Sequence, residues 1–231
     1  MISFYFMNIF LLTYCFLSPL LTYDFDHKLA ANIYVRLIHS SGCITQLIPI
    51  LYKYPITIMD PLKITPMPDT VKNIFDRSIS YFLWDCFALI IADENDKGIY
   101  IAHHLISILT LFFTRYYEFD WYLICFALFL AELTNPITQF SDYLQLIQKE
   151  NIIFEKFYFY SMVLVRGIIS PSFAIIYTYY IVHFYQYIRN MYLISIFINY
   201  ITMNLLIVGS VSWIHKKYLL LYKNNNDKKM S

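Results

Sequence analysis

Two adjacent histidines, His103 and His104, open the otherwise apolar segment "GIYIAHHLISILTLFFTRY" (98–116). Imidazoles act as general bases, nucleophiles and polar ligand contacts, so this pair is a candidate for chemistry. Neighbouring residues on a helix point about 100° apart, so the two rings do not face one point in the same way. The polar residues on the helical stripe of His103 are Ser107, Thr110 and Thr114. This stripe predicts that His103 is the inward-facing ring.

Further ionisable side chains interrupt other apolar segments: Arg36 and His39 in "RLIHS", Asp85 in "YFLWD", Glu132 in "AELTNP" and Arg166 in "LVRGI". On insertion scales a mid-membrane Arg or Asp costs about 2.5–3.5 kcal/mol, so the two acids and two arginines standing alone would cost roughly 10 kcal/mol. We therefore expect them to meet in one polar cavity between helices. The alternatives are structural ion pairs, histidines solvated at the membrane interface, and an Arg36 side chain that extends to that interface.

The composition indicates a membrane protein. The 231 residues are 59% hydrophobic and 14% charged, whereas a typical soluble domain has about 25% charged residues. The net charge of +1 offers no basic surface for nucleic acid. The four cysteines include no C-x-x-C pair, and the six histidines form no His-x-x-His-His cluster. We therefore expect no metal site, no disulfide framework and no cofactor, and a di-iron oxidase is disfavoured.

Seven apolar segments approach the roughly 20 residues that a membrane-crossing helix needs. They are 2–22, 33–52, 75–92, 99–116, 119–136, 157–182 and 191–213. The predicted fold class is therefore all-α, a polytopic bundle of about seven transmembrane helices. The first segment has the length of a signal peptide as well, although it lacks a basic n-region and an A-x-A cleavage site.

Two connections carry further signals. The loop 53–77 contains four of the eight prolines, so it is not a continuous helix. Asn135-Pro136 is expected to end the fifth span. The stretch 136–150 then places its apolar side chains on one face, which predicts a helix lying along the membrane surface. The residues of that face are Ile137, Phe140, Leu144 and Ile147.

Lysine placement predicts the orientation. Five lysines lie in "HKKYLLLYKNNNDKKMS", and the excess of Lys and Arg on the cytosolic side of membrane proteins places this tail in the cytosol. The terminal "KKMS" is similar to a dilysine signal that returns membrane proteins to the endoplasmic reticulum. A plain solvated polar tail is the alternative.

The motif order "RLIHS", "YFLWD", "IAHHLIS", "AELTNP" and "LVRGI" resembles the TLC-domain family. That family includes ceramide synthases, translocation-associated membrane proteins and lipid-homeostasis proteins. The resemblance covers roughly 30–215 and implies about six core helices around a polar cavity. Residues 1–29 would then form a preceding helix and short loop, and 216–231 a cytosolic tail. The matching residues are Arg36, His39, Asp85, His103, His104, Glu132 and Arg166.

One departure from the ceramide synthase pattern matters. Ceramide synthases carry a His-Asp motif followed by another Asp on the helix after the histidine pair, where this chain reads "ALFLAELTNPITQF". The resemblance therefore points to the small lipid-homeostasis branch rather than to a true ceramide synthase. Two functions stay open at this point, and so do enzymatic activity and the oligomeric state.

In the first, the protein binds, senses or handles a membrane lipid in the cavity. In the second, it is an acyltransferase that uses His103 and His104 on an acyl thioester such as acyl-CoA. Asp85 or Glu132 would then orient the histidine that acts.

Overall fold

A computed structural model describes residues 27–54, 66–92, 97–118, 120–149 and 151–184, together with selected residues between 197 and 219. The predicted first span, 2–22, lies outside the described residues, and the predicted seventh, 191–213, is described at selected positions only. All regular structure in the described residues is helical, which confirms the all-α class.

In these described ranges the helices follow the predicted apolar segments closely. They are α1 His27–Lys53, α2 Asp69–Ala92, α3 Lys97–Tyr117, α4 Trp121–Leu133, α5 Asn135–Leu146, α6 Ile152–Met162, a π-helical segment Val163–Ile169, and α7 Ser170–Phe184. α2 begins at Asp69, six residues earlier than the predicted span, with this carboxylate in its first turn. A carboxylate there favours a helix start because it faces the unpaired backbone N–H groups.

Two stretches are long and apolar enough to cross a membrane: Trp121–Leu146, which joins α4 to α5, and Ile152–His183, which runs from α6 through the π-helical segment into α7. The predicted number of seven spans is not confirmed by this criterion. α1, α2 and α3 are 27, 24 and 21 residues long, enough for a bilayer at about 1.5 Å per residue. Their lower hydropathy has a physical cause, because they carry the charged and polar side chains of the interior.

The predicted surface helix after Asn135 is present as α5, but its polar side is buried. Thr134 keeps helical backbone angles between α4 and α5, and α5 packs along α1. Gln139 and Ser141 are buried, whereas Phe140 and Tyr143 are exposed. Exposed Phe140 is compatible with an apolar face that meets lipid, so the position of α5 along the membrane surface stays a prediction.

α1 lies at the centre of the bundle and packs against α2, α4 and α5, while α3 packs mainly on α2. One apolar cluster joins these helices around Leu47, Phe75 and Trp84. A second cluster joins α4 to the π-helical segment and α7 around Leu130 and Tyr177. The two clusters bring the inner faces of α1, α2, α3 and α4 close to the π-helical segment that carries Arg166.

Candidate functional site

Asp85 joins three helices. It is buried on α2, where Arg36 of α1 donates from Nε to Oδ1 at 3.0 Å. On the opposite side, His104 Nε2 of α3 lies 2.7 Å from Asp85 Oδ2. Each carboxylate oxygen therefore has one basic partner. Arg36 does not extend away to the interface, and its charge is balanced inside the bundle.

A second buried group forms around Glu132 of α4. His39 Nε2 of α1 lies 3.7 Å from Glu132 Oε1, and Asn135 donates from Nδ2 to Glu132 Oε2 at 2.9 Å. Glu132 and Asn135 are about one helical turn apart on either side of Thr134, which joins α4 to α5 with helical backbone angles. The amide of Asn135 thus supports the carboxylate from the start of α5.

Arg166 reaches this group from the π-helical segment. Arg166 Nε donates to Thr134 Oγ1 at 2.9 Å. Arg166 Nη2 donates to the Ala131 carbonyl at 3.0 Å and to Asn135 Oδ1 at 2.6 Å. Asn135 therefore accepts from Arg166 and donates to Glu132, which connects the two charges through one amide. π-helical segments are frequent at functional sites because they shift side chains away from a regular helical register.

Aromatic rings of α2 lie between the Asp85 group and the Glu132 group and contact histidines of both. The His39 ring stacks on Tyr81 with centroids 3.7 Å apart and planes 10° apart. The next residue, Phe82, stacks on His104 at 5.1 Å and meets His39 edge-on at 5.9 Å. Phe82 therefore contacts both imidazoles and connects the Asp85 group with the Glu132 group.

The two adjacent histidines have different surroundings. His104 is buried against Asp85, and its Nδ1 has no hydrogen-bond partner among the described residues. His103 is half-buried, and its ring makes no hydrogen bond within the described part of the chain, although Arg166, Glu132 and Asp85 lie near enough to interact with it electrostatically.

The sequence predicted that His103 turns inward, whereas in the structure His104 is the buried ring and His103 is half-buried. The stripe of Ser107, Thr110 and Thr114 is buried, as the pattern indicated. However, the Ser107 hydroxyl donates to the backbone carbonyl of His103 at 2.9 Å. The partner of the histidine pair comes instead from α2, on the side of His104. Nothing in the sequence of α3 specifies that side.

Several residues of this interior were missed by the sequence analysis as parts of the site. Asn135 was interpreted only as a helix end, although an amide one turn after a buried glutamate is a signal for a supporting hydrogen bond. Thr134 and Tyr81 gave no signal, because their types are common in apolar helices. Within the described residues, no group of three or more His, Cys, Asp or Glu side chains is arranged to hold a metal ion.

The interior as a whole is a set of charged and polar side chains from six elements, α1 to α5 and the π-helical segment, inside an apolar helical bundle. That arrangement defines a helical membrane protein with a buried polar centre. The TLC-domain family model matches residues 30–216. The match covers most of the chain, so the chain belongs to the TLC-domain family, and this membership indicates a membrane protein related to lipids. No curated protein and no solved structure matches the chain.

Proposed function

We propose that the protein is a multi-pass membrane protein of about seven transmembrane helices that binds and handles a membrane lipid at its polar centre. The lipid-binding domain is 30–215, with 1–29 as a preceding helix and short loop and 216–231 as a cytosolic tail. The polar head of the lipid contacts the histidine pair, and the surrounding charges hold that pair in place. The proposed site residues are Arg36, His39, Asp85, His103, His104, Glu132 and Arg166.

The observation that carries this proposal is that some polar side chains of the centre have hydrogen-bond partners and others do not. Arg36 and Asp85 are paired, whereas the buried His104 Nδ1 has no hydrogen-bond partner among the described residues. The neighbouring His103 ring is half-buried and likewise makes no hydrogen bond to a described residue. A network that served only helix packing is expected to satisfy nearly all its buried polar atoms. Free imidazole nitrogens beside fixed charges favour a polar ligand such as a lipid head group.

The proposal is tested by measuring which lipids the protein retains. Wild type and His103→Ala are purified in a mild detergent, and bound lipid is identified by mass spectrometry against the bulk membrane composition. We expect one lipid class to be enriched with wild type. Loss of one hydrogen bond of about 1 kcal/mol should reduce its occupancy several-fold in His103→Ala.

His183→Ala is the matched control, because His183 is exposed on α7. It should retain as much lipid as wild type. Wild type that carries lipid only in the proportions of the bulk membrane would refute lipid binding at this centre.

A second candidate function, acyl transfer, is favoured by the Asp85–His104 contact. An ionised Asp85 only accepts hydrogen bonds, so His104 Nε2 would donate in this 2.7 Å contact, and in the neutral imidazole Nδ1 would keep its lone pair. A carboxylate that fixes the tautomer of an imidazole is the arrangement that a general base or nucleophile requires. The substrates would be an acyl thioester such as acyl-CoA and a lipid amine or alcohol.

Asp85→Asn separates the two candidates. Asparagine retains the shape but donates as well as accepts, so it no longer specifies the tautomer of His104. Any acyl transfer should fall about 10²–10⁴-fold, measured with labelled acyl-CoA and a mixture of lipid amines. Absence of transfer with wild type, together with retained lipid, would leave binding as the function.

The proposed location is the endoplasmic reticulum with a cytosolic C-terminus, which "KKMS" and the tail lysines support. The orientation is tested by adding protease to one side of sealed membranes that hold a C-terminally tagged protein. Cleavage of the tag only from the luminal side would contradict a cytosolic C-terminus. Lys228 and Lys229 replaced by Ser should move the protein out of the endoplasmic reticulum if they act as a retrieval signal.

A further inference from the structure

Three polar groups converge on the sulfur of Cys43, a buried residue one helical turn after His39 on α1. His39 Nε2 lies 3.6 Å from Sγ, and Ser78 Oγ of α2 lies 3.4 Å away. Arg77 Nη2, from the same helix as Ser78, donates to Sγ at 3.9 Å. The His39 ring nitrogen also faces Glu132 at 3.7 Å. Cys43 therefore adjoins a base that itself has a carboxylate neighbour.

Arg77 has an unusual environment for a basic side chain in this interior. Its Nε is buried without a hydrogen bond, as is Arg115 Nε, but Arg115 Nε has Asp76 Oδ1 at 3.4 Å. Within the described residues the polar contact of Arg77 is the Cys43 sulfur. The other half-buried basic side chains are held by oxygen atoms: Arg36 by Asp85, Lys72 by Glu118, Arg115 by Asp76, Lys217 by Glu155, and Arg166 by Thr134, Ala131 and Asn135. Among the described residues, Arg77 therefore has no anionic or oxygen partner to offset the cost of enclosing its charge.

An ionised Cys43 thiolate would supply that partner. It would neutralise Arg77 and accept hydrogen bonds from Ser78 and a protonated His39. Thiolates are favoured beside Arg and His side chains, and the thiolate is the nucleophilic form of cysteine. Cys125 offers the contrast, because it is equally buried but has no hydrogen bond among the described residues.

We propose that Cys43 is an acyl-accepting nucleophile that takes a fatty acyl group from an acyl thioester. His39 takes the thiol proton, and Glu132 stabilises the resulting imidazolium. Sγ attacks the thioester carbonyl carbon, so the new bond joins the acyl group to Cys43 while the donor carbon–sulfur bond breaks. The leaving thiolate takes the proton back from His39. The exchange needs no oxidant or reductant, and it rests on the proposed lipid-handling function for its acyl substrate.

Because Cys43 is fully buried, a neighbouring side chain has to move before a substrate reaches Sγ, and we assign that movement to Arg77. Arg77 is half-buried while Cys43 is fully buried, and the guanidinium lies over Gly42, within 3.7 Å of where a Cβ would stand. Movement of Arg77 away from Gly42 would open a path to Cys43 that no side chain at position 42 obstructs. The carbonyl of an acyl thioester could then approach Sγ with its chain among the apolar helices.

The experiment uses the full chain in lipid nanodiscs with palmitoyl-CoA that carries a terminal alkyne. After incubation, the label is located by peptide mass spectrometry and challenged with neutral hydroxylamine, which cleaves thioesters. We expect a hydroxylamine-labile acyl group on Cys43 of wild type, lost in Cys43→Ala and retained in Cys86→Ala and Cys125→Ala. Label that resists hydroxylamine, label centred on another cysteine, or no label refutes the proposal.

Arg77→Gln tests the mechanism without removing the acceptor. It deprives the thiolate of its positive neighbour, so labelling of Cys43 should slow at least tenfold at neutral pH and recover partly at higher pH. Labelling of Cys43 at an unchanged rate would refute the role of Arg77. Lipid retention is measured on the same samples: retained lipid without acylation refutes this inference alone, whereas bulk-like lipid content refutes the proposed function.

Discussion

At the scale of single residues, the arrangement is governed by the cost of burying charge. Arg36 and Asp85 come from different helices, and each would be expensive in the bilayer without the other. This cost made their meeting predictable from the sequence. The choice between His103 and His104 was not predictable in the same way, because a helical stripe specifies the inward side of α3 but not which neighbouring helix supplies the carboxylate.

Asp85→Ala should therefore destabilise the protein strongly. It leaves the Arg36 guanidinium and the His104 ring without their shared carboxylate, and removal of one partner of a buried pair costs about 3–5 kcal/mol. The measurement is thermal unfolding in detergent. Asp69→Ala is the control, because the Asp69 side chain on the same helix is 96% exposed. Equal melting temperatures for the two variants would show that the buried pair adds nothing to stability.

At the scale of helices, polarity was a poor guide to position. α5 has a clean apolar face, yet Gln139 and Ser141 are buried while Phe140 is exposed. The amphipathic pattern assumes an apolar core and a polar surround, and both assumptions fail in a membrane bundle with a polar centre. Proline was a partial guide to helix ends: Asn135-Pro136 marks the junction of α4 and α5, although Thr134 keeps helical angles there, whereas Pro49 lies inside α1.

The connection between α3 and α4, which ends just before the spanning stretch Trp121–Leu146, makes stability depend on pH. Asp120 has left-handed backbone angles at the start of α4, and its Oδ2 accepts a hydrogen bond from the Tyr177 hydroxyl of α7 at 3.2 Å. Burial raises the pKa of Asp120 to about 7 from an ordinary value of 3.8. Between those values the folded protein binds more protons than the unfolded chain, so this group lowers stability as the pH rises.

Glu118 acts in the opposite sense, because its hydrogen bond to Lys72 lowers the pKa of that carboxyl below its ordinary value of 4.5. Its contribution is lost only as the pH falls below that value. A comparison between about pH 5.5 and 8 therefore isolates Asp120 from Glu118. Asp120→Asn should reduce the loss of melting temperature over this range relative to wild type, and an identical loss in both proteins would contradict the assignment.

At the scale of the whole molecule, the fold balances its buried charges by pairing elements that are distant in sequence. The family match and the all-α class followed from motif order and apolar periodicity. The number of spans is harder to obtain from hydropathy, since α1, α2 and α3 carry the polar centre and so look less apolar than α4 or α7. The same economy is visible beyond that centre, where the C-terminal part of the chain meets α5 and α6.

Glu155 of α6 makes that connection. It is buried, it accepts a hydrogen bond from Ser141 of α5, and its Oε2 lies 2.7 Å from Lys217 Nζ. The Lys217 ammonium also lies 5.2 Å from the centre of the Tyr158 ring. Without the carboxylate, Lys217 would be a half-buried cation whose other described contact is the Tyr158 ring. The segment around Lys217 should then detach more often from α6.

Glu155→Ala should consequently speed tryptic cleavage after Lys217 several-fold, measured by limited proteolysis of the purified protein with cleavage sites assigned by mass spectrometry. Proteolysis of a locally opened segment follows the population of its open state. Glu118→Ala is the matched control, since it breaks the Lys72–Glu118 pair of 2.5 Å at a different place and should leave cleavage after Lys217 unchanged. Cleavage that rises equally in both variants would indicate general destabilisation, and cleavage unchanged in Glu155→Ala would mean that apolar packing alone holds this segment.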